Sequence, residues 1–125
     1  VNKRLFPFFF LFPMLLAACA FGYQAHGSLG DVPGELRGKG YPGNRGGGRF
    51  ILGDSSGRLT CDGDALPPTR SPNPGSCADE GGEGILRCSD GREMSFTWQA
   101  ISCRSLRGSG VDSRGNRLEF ILERR

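Results

Sequence analysis

Five cysteines (Cys19, Cys61, Cys77, Cys88 and Cys103) and one histidine, His26, are the side chains of this sequence best suited to covalent, redox or acid–base chemistry. No two cysteines have C-x-x-C spacing, and the histidine is near only Cys19. That donor pattern argues against a zinc site. Gly53-Asp54-Ser55-Ser56-Gly57 has the G-x-S-x-G form of a hydrolase nucleophile elbow. A serine there needs a histidine to take its proton, and His26 lies only seven residues beyond Cys19 in a glycine-rich stretch. A β-turn using Asp, Ser and Gly for local backbone bonding accounts for the segment. Asp62-Gly63-Asp64 and Asp112-Ser113-Arg114-Gly115-Asn116 set out oxygen ligands as calcium loops do, but lack the closing bidentate glutamate. Asp79, Glu80 and Glu83 could pair for glycoside cleavage, yet they sit in a glycine-rich loop with no apolar run beside them. The chemistry these residues favour is cross-linking. No catalytic residue, metal or cofactor is expected.

The elements that position them begin with an address. Lys3 and Arg4 precede Leu5 to Ala18, fourteen residues without a charge. A helix crossing a hydrocarbon core of about 30 Å needs roughly twenty apolar residues, and Pro7 and Pro13 would disrupt one. Residues 1–18 therefore read as a secretory signal, not a transmembrane anchor. The end of the signal, Leu16-Ala17-Ala18-Cys19, resembles the lipobox of bacterial lipoproteins. The resemblance implies that Leu16, Ala17 and Ala18 are recognised by the signal peptidase and that cleavage occurs before Cys19. It also implies a diacylglyceryl group on the Cys19 sulfur and acylation of the new amine. One acyl chain holds a protein weakly and two or three hold it durably. Ala20 stands where an Asp would retain a Gram-negative lipoprotein at the inner membrane. The resemblance thus implies an outer-membrane lipoprotein facing the periplasm, with membrane lipid as its partner through Cys19.

Residues 20–48 contain ten glycines and two prolines, with no apolar period of 2 or 3.6. They are expected to form a flexible tether, so that residues 19–48 are a lipidated spacer and residues 49–125 a small domain. Within that domain Phe50-Ile51-Leu52 and Ile85-Leu86-Arg87-Cys88 read as strands, and Ser89-Asp90-Gly91-Arg92 as a hairpin turn. Met94, Phe96, Trp98 and Ala100 alternate with Ser95, Thr97 and Gln99, a half-buried strand. The parity breaks after Ala100, which marks a bulge. Residues 62–83 are rich in turn formers and read as a long loop, and Gly108 to Gly115 as another turn region. Arg117–Glu123 closes the chain as a strand with Leu118, Phe120 and Leu122 inward. The fold expected is all-β: a small antiparallel sheet, partly open barrel or sandwich, stapled by disulfides. With Cys19 assigned to lipid, Cys61, Cys77, Cys88 and Cys103 form two bridges. Three pairings are open; Cys61–Cys77 with Cys88–Cys103 is favoured because the first closes the proline-rich loop.

Sixteen basic residues face thirteen acidic ones, and removing the signal leaves fourteen against thirteen. Near-neutrality excludes a nucleic-acid binder relying on bulk positive charge. Arg87, Arg92, Arg104 and Arg107 are candidates for a patch that binds an anionic envelope polymer such as lipopolysaccharide phosphate. Trp98 is assigned to the core. The segment from Cys88-Ser89-Asp90-Gly91-Arg92 through Trp98, Ser102-Cys103 and Gly108-Ser109-Gly110 to Phe120 resembles small bacterial envelope β domains, a likeness with no activity attached. The expectation is a non-catalytic binding or structural role in the cell envelope, its partner an envelope protein or an anionic polymer. The alternatives are an inhibitor of an envelope hydrolase, using residues 64–76 as its reactive loop, and a small hydrolase using Ser55 or the acidic loop.

Overall fold

The computed structural model describes residues 22–42, 47–73 and 75–124. The signal, the lipobox and Cys19 lie outside the described residues. Eight strands follow in chain order: β1 (Tyr23–Leu29), β2 (Val32–Pro42), β3 (Gly48–Gly53), β4 (Thr60–Ala65), β5 (Gly81–Cys88), β6 (Glu93–Ser102), β7 (Ser105–Val111) and β8 (Arg117–Arg124). Each pairs antiparallel with its neighbour in sequence, and β1 pairs with β8 from Tyr23↔Arg124 to Leu29↔Leu118, closing an up-and-down barrel. Closure leaves no unpaired strand edge. We call the end where β1 begins the mouth; it also carries the 66–80 loop and the β6–β7 turn. The opposite end, the base, carries the β1–β2, β3–β4, β5–β6 and β7–β8 turns.

The all-β expectation holds, in closed form. The alternation in β6 is as expected: Met94, Phe96, Trp98 and Ala100 are buried and their neighbours exposed. The register shifts between Ala100 and Ser102, where the parity breaks. Leu118, Phe120 and Leu122 face inward. Other expectations need correction. Residues 23–42, expected as part of a flexible tether, form β1 and β2. The loop expected over 62–83 is shorter, because β4 runs to Ala65 and β5 starts at Gly81. Gly108–Val111, expected as turn, belongs to β7.

The glycines responsible for those misreadings make room for the core. Phe50, Phe96 and Phe120 fill the interior, each at most 2% exposed. Their ring centroids lie 4.5 Å (50–120), 5.1 Å (96–120) and 5.7 Å (50–96) apart. Each ring is flanked across the sheet by glycine on both sides: Gly40–Phe50–Gly63, Gly84–Phe96–Gly110 and Gly108–Phe120–Gly27. An added Cβ at Gly63, Gly84 or Gly108 would run into the neighbouring ring, and at Gly27 or Gly110 into the adjoining strand; only Gly40 has ordinary room. An eight-stranded barrel has an interior just wide enough for side chains. Here three large rings occupy it and glycine lines the wall against them. Trp98 lies over Gly82 nearer the mouth, and its indole N–H donates to the Leu66 carbonyl at 3.1 Å.

The disulfides are Cys61–Cys88 and Cys77–Cys103. All four expected cysteines are bridged, but the favoured pairing is overturned. Antiparallel pairing sets Cys61 of β4 directly opposite Cys88 of β5 near the base. Cys77 is in the loop at the mouth, beside the β6–β7 turn that carries Cys103. The favoured partners thus sit at opposite ends of the barrel. In the chain-entropy picture, loops with separations of 27 and 26 residues contribute about 3–4 kcal/mol each.

The glycine–phenylalanine layer makes a direct prediction. Gly84→Ala, which would meet both the Phe96 ring and the Asp64 carbonyl, is expected to cost about 1–3 kcal/mol by overpacking. Gly53→Ala, where the nearest atom is 3.6 Å away, is expected to stay within about 0.5 kcal/mol. Urea unfolding of the two oxidised variants measures the difference.

Candidate functional site

With the interior filled, ligands have the outer wall and the two ends. The base is governed by Arg92. Its guanidinium donates to Asp31 at 2.8 and 2.9 Å, to Asp90 at 2.9 and 3.1 Å and to Asp112 at 3.2 Å. Five N–H donors thus make five hydrogen bonds, the full capacity of the group. The three aspartates come from the β1–β2, β5–β6 and β7–β8 turns, so one side chain ties three hairpins together. The Arg92 side chain is 17% exposed and that of Asp112 6%. Hydrogen bonding from Arg92 holds the Asp31 and Asp90 carboxyls below the ordinary value of 3.8. Asp112 is lowered first by the Asn116 amide and then by the backbone N–H groups of Asn116 and Arg114, with Arg92 adding to it. Arg92 itself is held more firmly charged, above all by Asp31. The base is a closed structural lock with no donor to spare.

A groove of about 720 Å³ runs along the outer wall across β5, β6, β7, β8 and β1, and reaches the 66–80 loop. Strand register builds its floor: Glu83, Thr97, Ser109, Glu119 and Ser28 form one row across five strands. A second row runs Gln99, Arg107, Ile121 and His26. Short hydroxyl side chains in the middle, between longer arginine, glutamine and glutamate side chains, make the wall concave. The hydroxyls of Ser28, Thr97 and Ser109 make no side-chain hydrogen bond among the described residues. Arg117 faces Glu119 at 3.8 Å. Arg70 and Arg107 form no ion pair among the described residues. At the groove's edge His26 has Nδ1 3.7 Å from Glu35 and Nε2 3.5 Å from Glu123. The groove thus sets the cations Arg70 and Arg107 beside hydroxyls and beside the carboxylates of Glu83 and Glu119, a lining that can hold a polyhydroxylated ligand with its anionic groups at the arginines.

The residues singled out from sequence scatter around this site. Ser55 lies in the β3–β4 turn at the base. There Asp54 accepts from the Ser56 hydroxyl at 2.7 Å and the Leu59 N–H at 3.1 Å, which lowers its pKa; the segment is a turn held by its own backbone. His26 faces carboxylates on β2 and β8, not a serine. Asp62 and Asp64 point outward from β4 and clasp Arg49, at 3.0 and 3.8 Å. Asp112 caps its own turn through Arg114 and Asn116. No group of three metal-ligating side chains occurs among the described residues. Of the acidic loop, Glu80 accepts from Ser71 and Asp79 from Gln99, while Glu83 reaches the groove. The four arginines do not converge: Arg87 pairs with Glu93, Arg92 locks the base, Arg104 lies at the mouth and only Arg107 lines the groove. Trp98 is in the core, 5% exposed. Sequence reasoning missed Arg70, Arg117, Ser28 and Ser109. The available signal was the polar face of β6, Thr97 and Gln99, which had to be facing something outside the core.

No protein-family model matches this chain, and no match was found among the curated proteins or the solved structures.

The base lock has a pH signature. A carboxyl held below its unfolded value contributes stability that is complete above that value, here near 3.8, and is lost as pH falls through the lowered folded values. Wild-type stability is expected to drop steeply as pH falls below about 4. Arg92→Lys, which lacks the planar fork, should be less stable at pH 7 and lose less on acidification. Thermal melts between pH 7 and pH 2 test both.

Proposed function

We propose that this chain is a lipid-anchored bacterial outer-membrane lipoprotein facing the periplasm, whose barrel binds an anionic, hydroxyl-rich envelope polymer in the outer groove and catalyses no reaction. The anchor rests on Leu16-Ala17-Ala18-Cys19 behind a charged start and an apolar run. The two disulfides support it, because such bonds persist in oxidising compartments, and they use every cysteine except Cys19. The observation that carries the binding reading is the pair Arg70 and Arg107, which form no ion pair among the described residues and line one groove with the Ser28, Thr97 and Ser109 hydroxyls. Two such arginines beside one groove are suited to phosphate or carboxylate, which guanidinium grips with two parallel bonds.

A second reading, an inhibitor of an envelope hydrolase, is favoured by the 66–80 loop. The loop is rich in proline and exposed, and it is pinned by Cys77–Cys103 and by the Arg70↔Gly81 bridge. A pre-ordered loop binds at lower entropic cost.

Intact mass spectrometry of membrane-extracted protein is expected to give a chain beginning at Cys19 with three acyl chains and the mass loss of two disulfides. Soluble peptidoglycan fragments, which carry both hydroxyls and carboxylates and face the periplasm, serve as the groove probe. Each charged hydrogen bond lost is worth about 1.5–3 kcal/mol, so Arg70→Ala with Arg107→Ala should weaken binding by ten-fold or more. Equal binding by the double variant would overturn the groove reading. Capture of an envelope hydrolase that survives the double variant and disappears on substitution of the 66–76 segment would favour the inhibitor.

A further inference from the structure

The finding that β1 starts at Tyr23 changes the geometry of any anchor at Cys19. Only Ala20, Phe21 and Gly22 separate the two. Four Cα-to-Cα steps of 3.8 Å span at most about 15 Å, and the headgroup layer of each leaflet is itself roughly 5–8 Å thick. A barrel leashed this tightly cannot stand off from its membrane. We infer that the barrel docks mouth-first on the bilayer that holds Cys19, with Tyr41, Leu66 and Ile101 set into the headgroup layer. The inference rests on the acylation of Cys19 proposed above.

The leash fixes proximity, and the surface fixes orientation. Five large apolar or aromatic side chains are exposed among the described residues, and three of them are at the mouth: Tyr41 at 55%, Leu66 at 49% and Ile101 at 47%. They stand at the ends of β2, β4 and β6, spaced around the rim. Tyr23 and Leu106, partly buried, line a small depression at the same end together with Tyr41. Tyrosine is favoured at membrane–water interfaces, where its ring sits at headgroup level. Arg104 and Arg124 are neighbours at the rim, the Arg124 N–H donating to the Arg104 carbonyl at 2.8 Å. The mouth's loop acids, Asp79 and Glu80, are engaged by Gln99 and Ser71. The base contrasts in apolar surface: its turns carry Asp31, Asp54, Asp90 and Asp112 with Arg58, Arg92 and Arg114, and among the described residues Val111 is the one large exposed apolar side chain there.

Single tryptophans replacing exposed residues report the orientation against the buried Trp98 background. The full acylated chain is placed in vesicles of brominated phosphatidylcholine, and acylation of each variant is read by mass. Tyr41→Trp and Ile101→Trp are expected to be quenched several-fold more than Val111→Trp. Acylated protein in which Val111→Trp is quenched as much as the mouth positions, or in which none is quenched beyond Trp98, overturns the docking and leaves the anchor standing. A bare Cys19 overturns the anchor, and the docking with it. All three positions are exposed on the outer surface, and matching circular dichroism shows that each variant retains the barrel.

Discussion

Three phenylalanine rings packed between glycines set the dimensions of this molecule. A closed sheet of eight short strands leaves a narrow interior, and rings as large as Phe50, Phe96 and Phe120 fit only where the facing wall has no side chain. The glycines lie on β1, β2, β4, β5 and β7 and the rings on β3, β6 and β8, so every strand of the barrel contributes to one layer. Losing the match at any point would force a strand outward or leave a void. The layer explains how a chain so rich in glycine and so poor in large apolar residues folds. Only four phenylalanines follow residue 18, and three of them are this core.

Around that layer each end is secured by different chemistry. At the base a single guanidinium gathers three turns, and the cross-strand Cys61–Cys88 bond joins β4 to β5, whose β3–β4 turn the arginine does not reach. At the mouth the one long connection is held by Cys77–Cys103, by the Arg70↔Gly81 bridge and by the Trp98 indole on the Leu66 carbonyl. Connections that polar contacts alone would leave weakly held are the ones given covalent bonds.

The same layer decides what could be read from the residues alone. Strands β6 and β8 announce themselves because their inward positions carry Met94, Phe96, Trp98, Leu118, Phe120 and Leu122. Strands β1 and β2 bury Ala25, Leu29 and Leu36, set Tyr23 and Val32 against the core at their ends, and put Gly27, Gly38 and Gly40 at the inward positions between. An alternation of glycine and polar residues has no hydrophobic period, and it is compositionally the same as a flexible linker. What distinguishes it is the partner strand, which local sequence does not contain. The disulfide partners were hidden for a related reason. Sequence separation favours short loops, whereas the pairing follows from the register of β4 on β5. The groove was hidden more deeply, since its row of Glu83, Thr97, Ser109, Glu119 and Ser28 draws one residue from each of five strands and needs closure of β1 on β8 to exist.

With Cys19 as the proposed anchor, three residues in place of a spacer of thirty would alter the function proposed as well as the fold. A barrel on a long tether would meet a partner anywhere in the surrounding space, and its exposed proline-rich loop would be free to enter an enzyme's cleft. A barrel held mouth-down would carry that loop at the headgroup level, leaving its flank and its base open to solvent. The groove is on that flank, running from Arg70 beside the mouth along the wall to Arg117 near the base. The short leash and the open arginines therefore favour a ligand that is part of, or lies upon, the envelope surface over a soluble enzyme approaching from above.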